Sequence, residues 1–111
     1  MMIAPAKVHF LTEQDITQIT TAISSVAQRY GFIDYEEIVP FQDNDQETRL
    51  CIYVRNDEKL GIIATLLHSN STVQVTIDSF NVPMRTVNNA FRDISEALSK
   101  YPSVQIEQSF K

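Results

Sequence analysis

The sequence predicts an α+β fold: a two-layer sandwich in which a mainly antiparallel sheet of four to six strands carries two helices on one face, in the order α-β-β-β-β-α-β. Three observations lead there. The runs Thr48 to Arg55 and Thr72 to Phe80 alternate apolar and polar residues with the period of a half-buried strand. On either side of them, Ile16 to Tyr30 and Met84 to Tyr101 repeat apolar residues at spacings of three and four, the mark of an amphipathic helix. Strands with one apolar face need a cover, and two such helices supply it.

The first helix opens at Thr12, whose side chain suits an N-cap, with Asp15 placed to complete an acidic capping box and Leu11 and Ile16 placed to form a hydrophobic staple. Ile16, Ile19, Ile23, Val26, Ala27 and Tyr30 form its stripe, and Gly31 suits the left-handed residue that ends it. Upstream, Lys7 to Phe10 alternates briefly, as a short edge strand does. Phe32 to Phe41 is rich in aromatic and β-branched residues but holds Pro40, so it is expected on a sheet edge, with a bulge near Glu36-Glu37. Gln42 to Glu47 then forms a polar hairpin loop.

In the strand from Thr48, Leu50, Ile52 and Val54 alternate with Arg49, Cys51, Tyr53 and Arg55, and the aliphatic set is expected beneath the helices. Asn56 to His68 fits two patterns. Leu60, Ile63, Ala64 and Leu67 fall on one helical face, whereas Leu60, Ile62, Ala64 and Leu66 fall on one strand face. Turn-forming residues at 56–59 and 69–71 favour the strand, because they leave segments of matched length for a meander. Val73, Val75 and Ile77 make the inner face of the next strand. Pro83 suits the first turn of the second helix, with Met84, Val87, Phe91, Ile94, Leu98 and Tyr101 as its stripe. Val104 to Phe110 alternates again and is expected as a last, outer strand. This order is similar to that of small secretion chaperones, which are acidic and dimeric, although a third helix is missing.

Composition bounds the function. A chain of 111 residues with 43% hydrophobic and 21% charged residues suits one globular domain spanning the whole length. Its longest apolar run, Gly61 to Leu67, is far short of the roughly 20 residues that cross a bilayer, and the first residues lack the pattern of a signal peptide. No membrane association and a cytoplasmic location are expected. Cys51 is the single cysteine, which excludes an intrachain disulfide. A net charge of −5 opposes binding to a phosphate backbone, so no nucleic-acid partner is expected. Acid is concentrated between Asp34 and Glu47, a stretch without a base, which suits either solubility or a basic partner.

Sites for chemistry are sparse. Asp43, Asp45 and Glu47 alternate as calcium-loop ligands do, but Thr48 and Val54 stand where that loop needs glycine and glutamate. His9, His68 and Cys51 have no spacing that forces a metal site. With only two isolated glycines, Gly31 and Gly61, no phosphate-binding loop can form. No catalytic residue, cofactor or metal is therefore expected. Arg49, Tyr53 and Arg55 share a strand face and are of the types enriched at binding hot spots, which makes them the candidate partner-binding cluster against the alternative of pairing with neighbouring acids. The expected function is a non-enzymatic protein-binding module, acting as a homodimer or as an adaptor, inhibitor or chaperone-like partner of another protein. The alternative is a small-molecule-binding domain or enzyme with a cleft between sheet and helices.

Overall fold

Thr12 caps the first helix as its sequence implies. Its Oγ1 accepts the Asp15 amide at 3.1 Å, and the Asp15 carboxylate accepts the Thr12 amide at 2.8 Å, so two backbone donors that the helix cannot use are satisfied together. The helix, α1, spans Glu13–Arg29. Gly31 ends it at φ +88, a conformation costly to any residue with a Cβ, and the Phe32 amide folds back to the Ala27 carbonyl at 3.0 Å. The computed structural model describes residues 12–42, 46–55, 60–69 and 72–109. The expected strand at Lys7 to Phe10 and the staple through Leu11 lie outside the described residues.

After α1 come β1 (Asp34–Gln42), β2 (Gln46–Val54), β3 (Gly61–Ser69), β4 (Thr72–Phe80), α2 (Met84–Leu98) and β5 (Val104–Gln108). The five strands form one sheet in chain order, antiparallel from β1 to β4, with β5 parallel to β4. That last pairing follows from α2, which carries the chain back along the sheet before β5 begins. The strand reading of Asn56 to His68 holds from Gly61 onward, with Ile62, Ala64 and Leu66 facing the core, while the expected turn at 56–59 lies outside the described residues.

Both helices cover the same face. Ile16, Ile19, Ile23 and Val26 of α1 and Ala90, Ile94 and Leu98 of α2 join Tyr53, Ile62, Leu66, Val75 and Ile77 of the sheet in one core. On α2 the stripe is narrower than its sequence suggests. Ala90 is fully buried and lets α2 approach closely, Phe91 and Tyr101 sit at the border of the core, and Met84 is 56% exposed. No helix among the described residues is long and apolar enough to cross a membrane.

Three expectations are corrected. The phase of β2 is inverted: Cys51 and Tyr53 are buried beneath the helices, while Leu50, Ile52 and Val54 lie on the opposite face, partly exposed. The bulge in β1 falls between Ile38 and Phe41, where Pro40 has no amide to donate, and not at Glu36-Glu37, which pair in register with Ile52 and Cys51. Gln42, Gln46 and Glu47, expected in the hairpin loop, belong to the strands: Gln42 to β1 and the other two to β2.

Candidate functional site

Arg49 and Tyr53 share a face of β2, the one covered by α1, and Arg55 follows directly after the strand. Tyr53 is 1% exposed, with its hydroxyl accepting from Ser24 Oγ at 3.3 Å and lying 3.5 Å from the Thr20 carbonyl. Burial pushes its phenol well above the ordinary value, so it stays a neutral hydrogen-bonding group. Arg49 spans two carboxylates: Nη1 lies 3.0 Å from Glu37 of β1, and Nε donates to Glu47 at 3.1 Å. A cation this enclosed is tolerable because it is paired. Arg55 donates through Nη2 to the Tyr30 carbonyl at 2.8 Å, with its guanidinium 5.1 Å from the Phe32 ring centre, and so ties β2 to the C-terminal end of α1. All three residues have partners within the fold.

Next to them stands the edge of this layer. The Tyr35 and Tyr53 rings lie 5.2 Å apart, and the Tyr35 hydroxyl reaches Glu37 at 3.0 Å and Cys51 Sγ at 3.7 Å. Cys51 is fully buried, and desolvation pushes its thiol upward, away from the thiolate that a nucleophile needs. His68 faces the same layer beside Glu47, its partner in register, and its Nε2 is enclosed with no hydrogen-bond partner among the described residues. No three His, Cys, Asp or Glu side chains among the described residues are grouped to hold a metal ion. Asp43 and Asp45 of the calcium-like run, and His9, lie outside the described residues.

On the other face of the sheet no helix lies among the described residues, and here the register builds a surface around Leu50, Ile52 and Val54, the β2 residues expected beneath the helices. Ile38 of β1 pairs with Leu50 of β2, which pairs with Thr65 of β3. Glu36 pairs with Ile52, and Ile52 with Ile63. Val54 pairs with Gly61, over which Phe80 lies, and Thr48 pairs with Leu67. Paired residues share a face, so Ile38, Leu50, Ile52, Val54, Ile63 and Leu67 form one apolar strip across three adjacent strands. None of the six is fully buried, and Ile38 is 39% exposed. A shallow depression opens where Glu36 borders Ile52 and Val54. Toward β5 the same face turns polar: Gln74 and Thr76 both bond Glu107, at 3.1 and 3.3 Å.

The strip escaped the sequence reading because alternation shows which residues share a face but not which face meets the helices. The signal available was β2 itself, whose second set holds Cys51 and Tyr53, both able to be buried, beside the charged Arg49 and Arg55. The fold and this surface define a two-layer α+β domain with one sheet face outside its own core. No family model matches the chain, and neither a curated protein nor a solved structure does. The likeness to secretion chaperones is one of element order.

Proposed function

We propose that this chain is a non-enzymatic protein-binding module that works by burying the open face of its sheet against another protein. The observation that carries this reading is the strip of Ile38, Leu50, Ile52, Val54, Ile63 and Leu67, contiguous, partly exposed and outside the core. Contiguous apolar surface on a small domain marks an interaction site, because leaving it in water costs free energy that a partner recovers. Pull-down from the native host, with mass measurement of the recovered complex, tests it. A partner retained by the unmodified protein and lost with Ile52→Thr/Ile63→Thr, which keeps the β-branched shape while adding hydroxyls, supports the reading. Equal recovery by both proteins overturns it.

A second reading, homodimer formation, is favoured by the outer edge of β5. Ser103 accepts from Val73 at 3.0 Å and Ser109 donates to Ile77 at 2.8 Å, so the odd-numbered residues of β5 turn their backbone groups toward β4, the Val104 amide donates to Tyr101 at 3.2 Å, and Ile106 and Gln108 turn theirs outward. Glu107 is the one charged residue in that strand. Unpaired, sparsely charged edges are natural sites of pairing between chains. Sedimentation as a monomer at micromolar concentration would exclude it.

A further inference from the structure

The open face differs from the helical layer in charge as well as in cover. The Arg and Lys residues among the described positions are Arg29, Arg85, Arg92 and Lys100 in or beside the helices, Arg49 on the covered face of β2, and Arg55 directly after that strand. The open face holds none of them. Its described carboxylates are Glu36 at the β1 border of the apolar strip, Asp78 in register with Ile63, and Glu107 on β5. The strip thus has a carboxylate on either side, Glu36 beside Ile52 and Asp78 beside Ile63, within a chain of net charge −5.

Its dimensions restrict what can cover it. Three adjacent strands span about 10 Å, the width of a single α-helix, and from the row of Thr48 to that of Val54 the strip runs about 20 Å, the length of roughly 13 helical residues. Beyond β3 the face carries Gln74, Thr76, Asp78, Gln105 and Glu107, and its one aromatic residue among those described, Phe80, lies back over Gly61 of β3. A second copy laid face to face would bury these polar groups against one another and bring acid against acid. A second copy turned to offer its helical layer would leave its own sheet face open and run on into a filament.

We infer that the open face binds an amphipathic helix of another protein, one with an aliphatic stripe flanked by Lys or Arg. This rests on the protein-binding reading and names the class of partner. The aliphatic stripe lies along Leu50, Ile52, Ile63 and Leu67. A basic side chain at its border lays its stem over Ile52 and Val54, in the depression beside Glu36, and brings its head to that carboxylate. One helix satisfies its own backbone and covers the apolar strip without burying the polar half of the sheet.

The test uses the full chain and two fluorescent peptides of about 14 residues, identical in their leucine stripe, one carrying Lys on its polar face and the other Glu. Fluorescence anisotropy is expected to show binding of the Leu/Lys peptide and not of the Leu/Glu peptide. Glu36→Lys should weaken the former by about fivefold or more, whereas Glu96→Lys on the outer face of α2, an identical change in net charge, should alter it by less than about twofold. Ile52→Thr/Ile63→Thr should also weaken it. Equal binding of the two peptides, equal effects of Glu36→Lys and Glu96→Lys, or absence of binding would each overturn the inference. The host pull-down reports separately on the protein-binding reading: a partner lost with Ile52→Thr/Ile63→Thr but no affinity for the Leu/Lys peptide means that the face binds protein of another chemistry.

Discussion

The ring of Phe80 occupies the space in which a side chain at Gly61 would begin: a Cβ there would lie 2.5 Å from Phe80 Cζ and 2.7 Å from the Tyr53 carbonyl oxygen. Glycine at this position is a matter of close approach between β2, β3 and β4. The aromatic ring thereby lies over Gly61, whose partner in register on β2 is Val54.

Gly61→Ala is accordingly expected to destabilise the protein by about 1 to 3 kcal/mol, as overpacking commonly does. Phe80→Leu should restore only part of the loss, since the Tyr53 carbonyl belongs to the backbone and cannot move aside. Urea denaturation of the single and double variants checks both statements. An unchanged midpoint for Gly61→Ala would refute the packing.

Ile94, fully buried, anchors α2 more firmly than Phe91 at the border of the core. Ile94→Ala should cost about 2 to 5 kcal/mol, and Phe91→Ala less than the roughly 3 to 5 kcal/mol of a fully enclosed phenylalanine. A change at exposed Glu96 should stay within about half a kcal/mol. Melting temperatures ordered Phe91→Ala below Ile94→Ala would contradict this arrangement.

Acid should loosen the contact between the helices at Tyr30 and Asp93. The Tyr30 hydroxyl donates to the Asp93 carboxylate, and this bond, with Arg92 nearby, holds the Asp93 carboxyl below its ordinary value of 3.8. A carboxyl depressed in the folded state stabilises the protein fully well above its unfolded pKa, and the contribution is lost as pH falls through the folded one. Both Tyr30→Phe and Asp93→Asn should therefore flatten the fall in urea midpoint below about pH 4. A fall as steep as in the unmodified protein would show that other carboxylates control it.

Proline scanning of β5 should separate its two edges. The Gln105 amide points toward β4, so Gln105→Pro should break a ladder bond and destabilise the fold. The Ile106 amide points outward. Ile106→Pro should therefore shift any dimer toward monomer in sedimentation at a smaller cost to the β4 pairing, and a dimer that survives it does not form through this edge.

Much of this architecture is legible in the residues themselves. Thr12 with Asp15, the isoleucine stripe of α1, Gly31 and the alternation of β4 each have one physical reading, and each holds in the fold. The phase of β2 is of another kind. Leu50, Ile52 and Val54 look like a core face until pairing with β3 places Cys51 and Tyr53 beside Ala64 and Ile62, and only that register, a contact distant in sequence, decides which set is covered. Arg49 and Tyr53 do share a face, as alternation requires, and Arg55 follows directly after the strand. Their types suggested recognition, whereas the pairing of Arg49 with Glu37 and of Arg55 with the Tyr30 carbonyl depends on β1 and α1 and has no local signature.

The parallel pairing of β4 with β5 also has a consequence for the order of events during synthesis. Strands β1 to β4 are hairpin neighbours and can zip together as each leaves the ribosome. β5 must wait until α2 has been made and has docked. In that interval β4 is the growing edge of the sheet, with Val73, Val75 and Ile77 already aligned and their backbone groups unmet. The nascent chain is thus most prone to pair with a neighbour after Phe80 emerges and before Val104 arrives, and the speed with which α2 forms sets how long that exposure lasts.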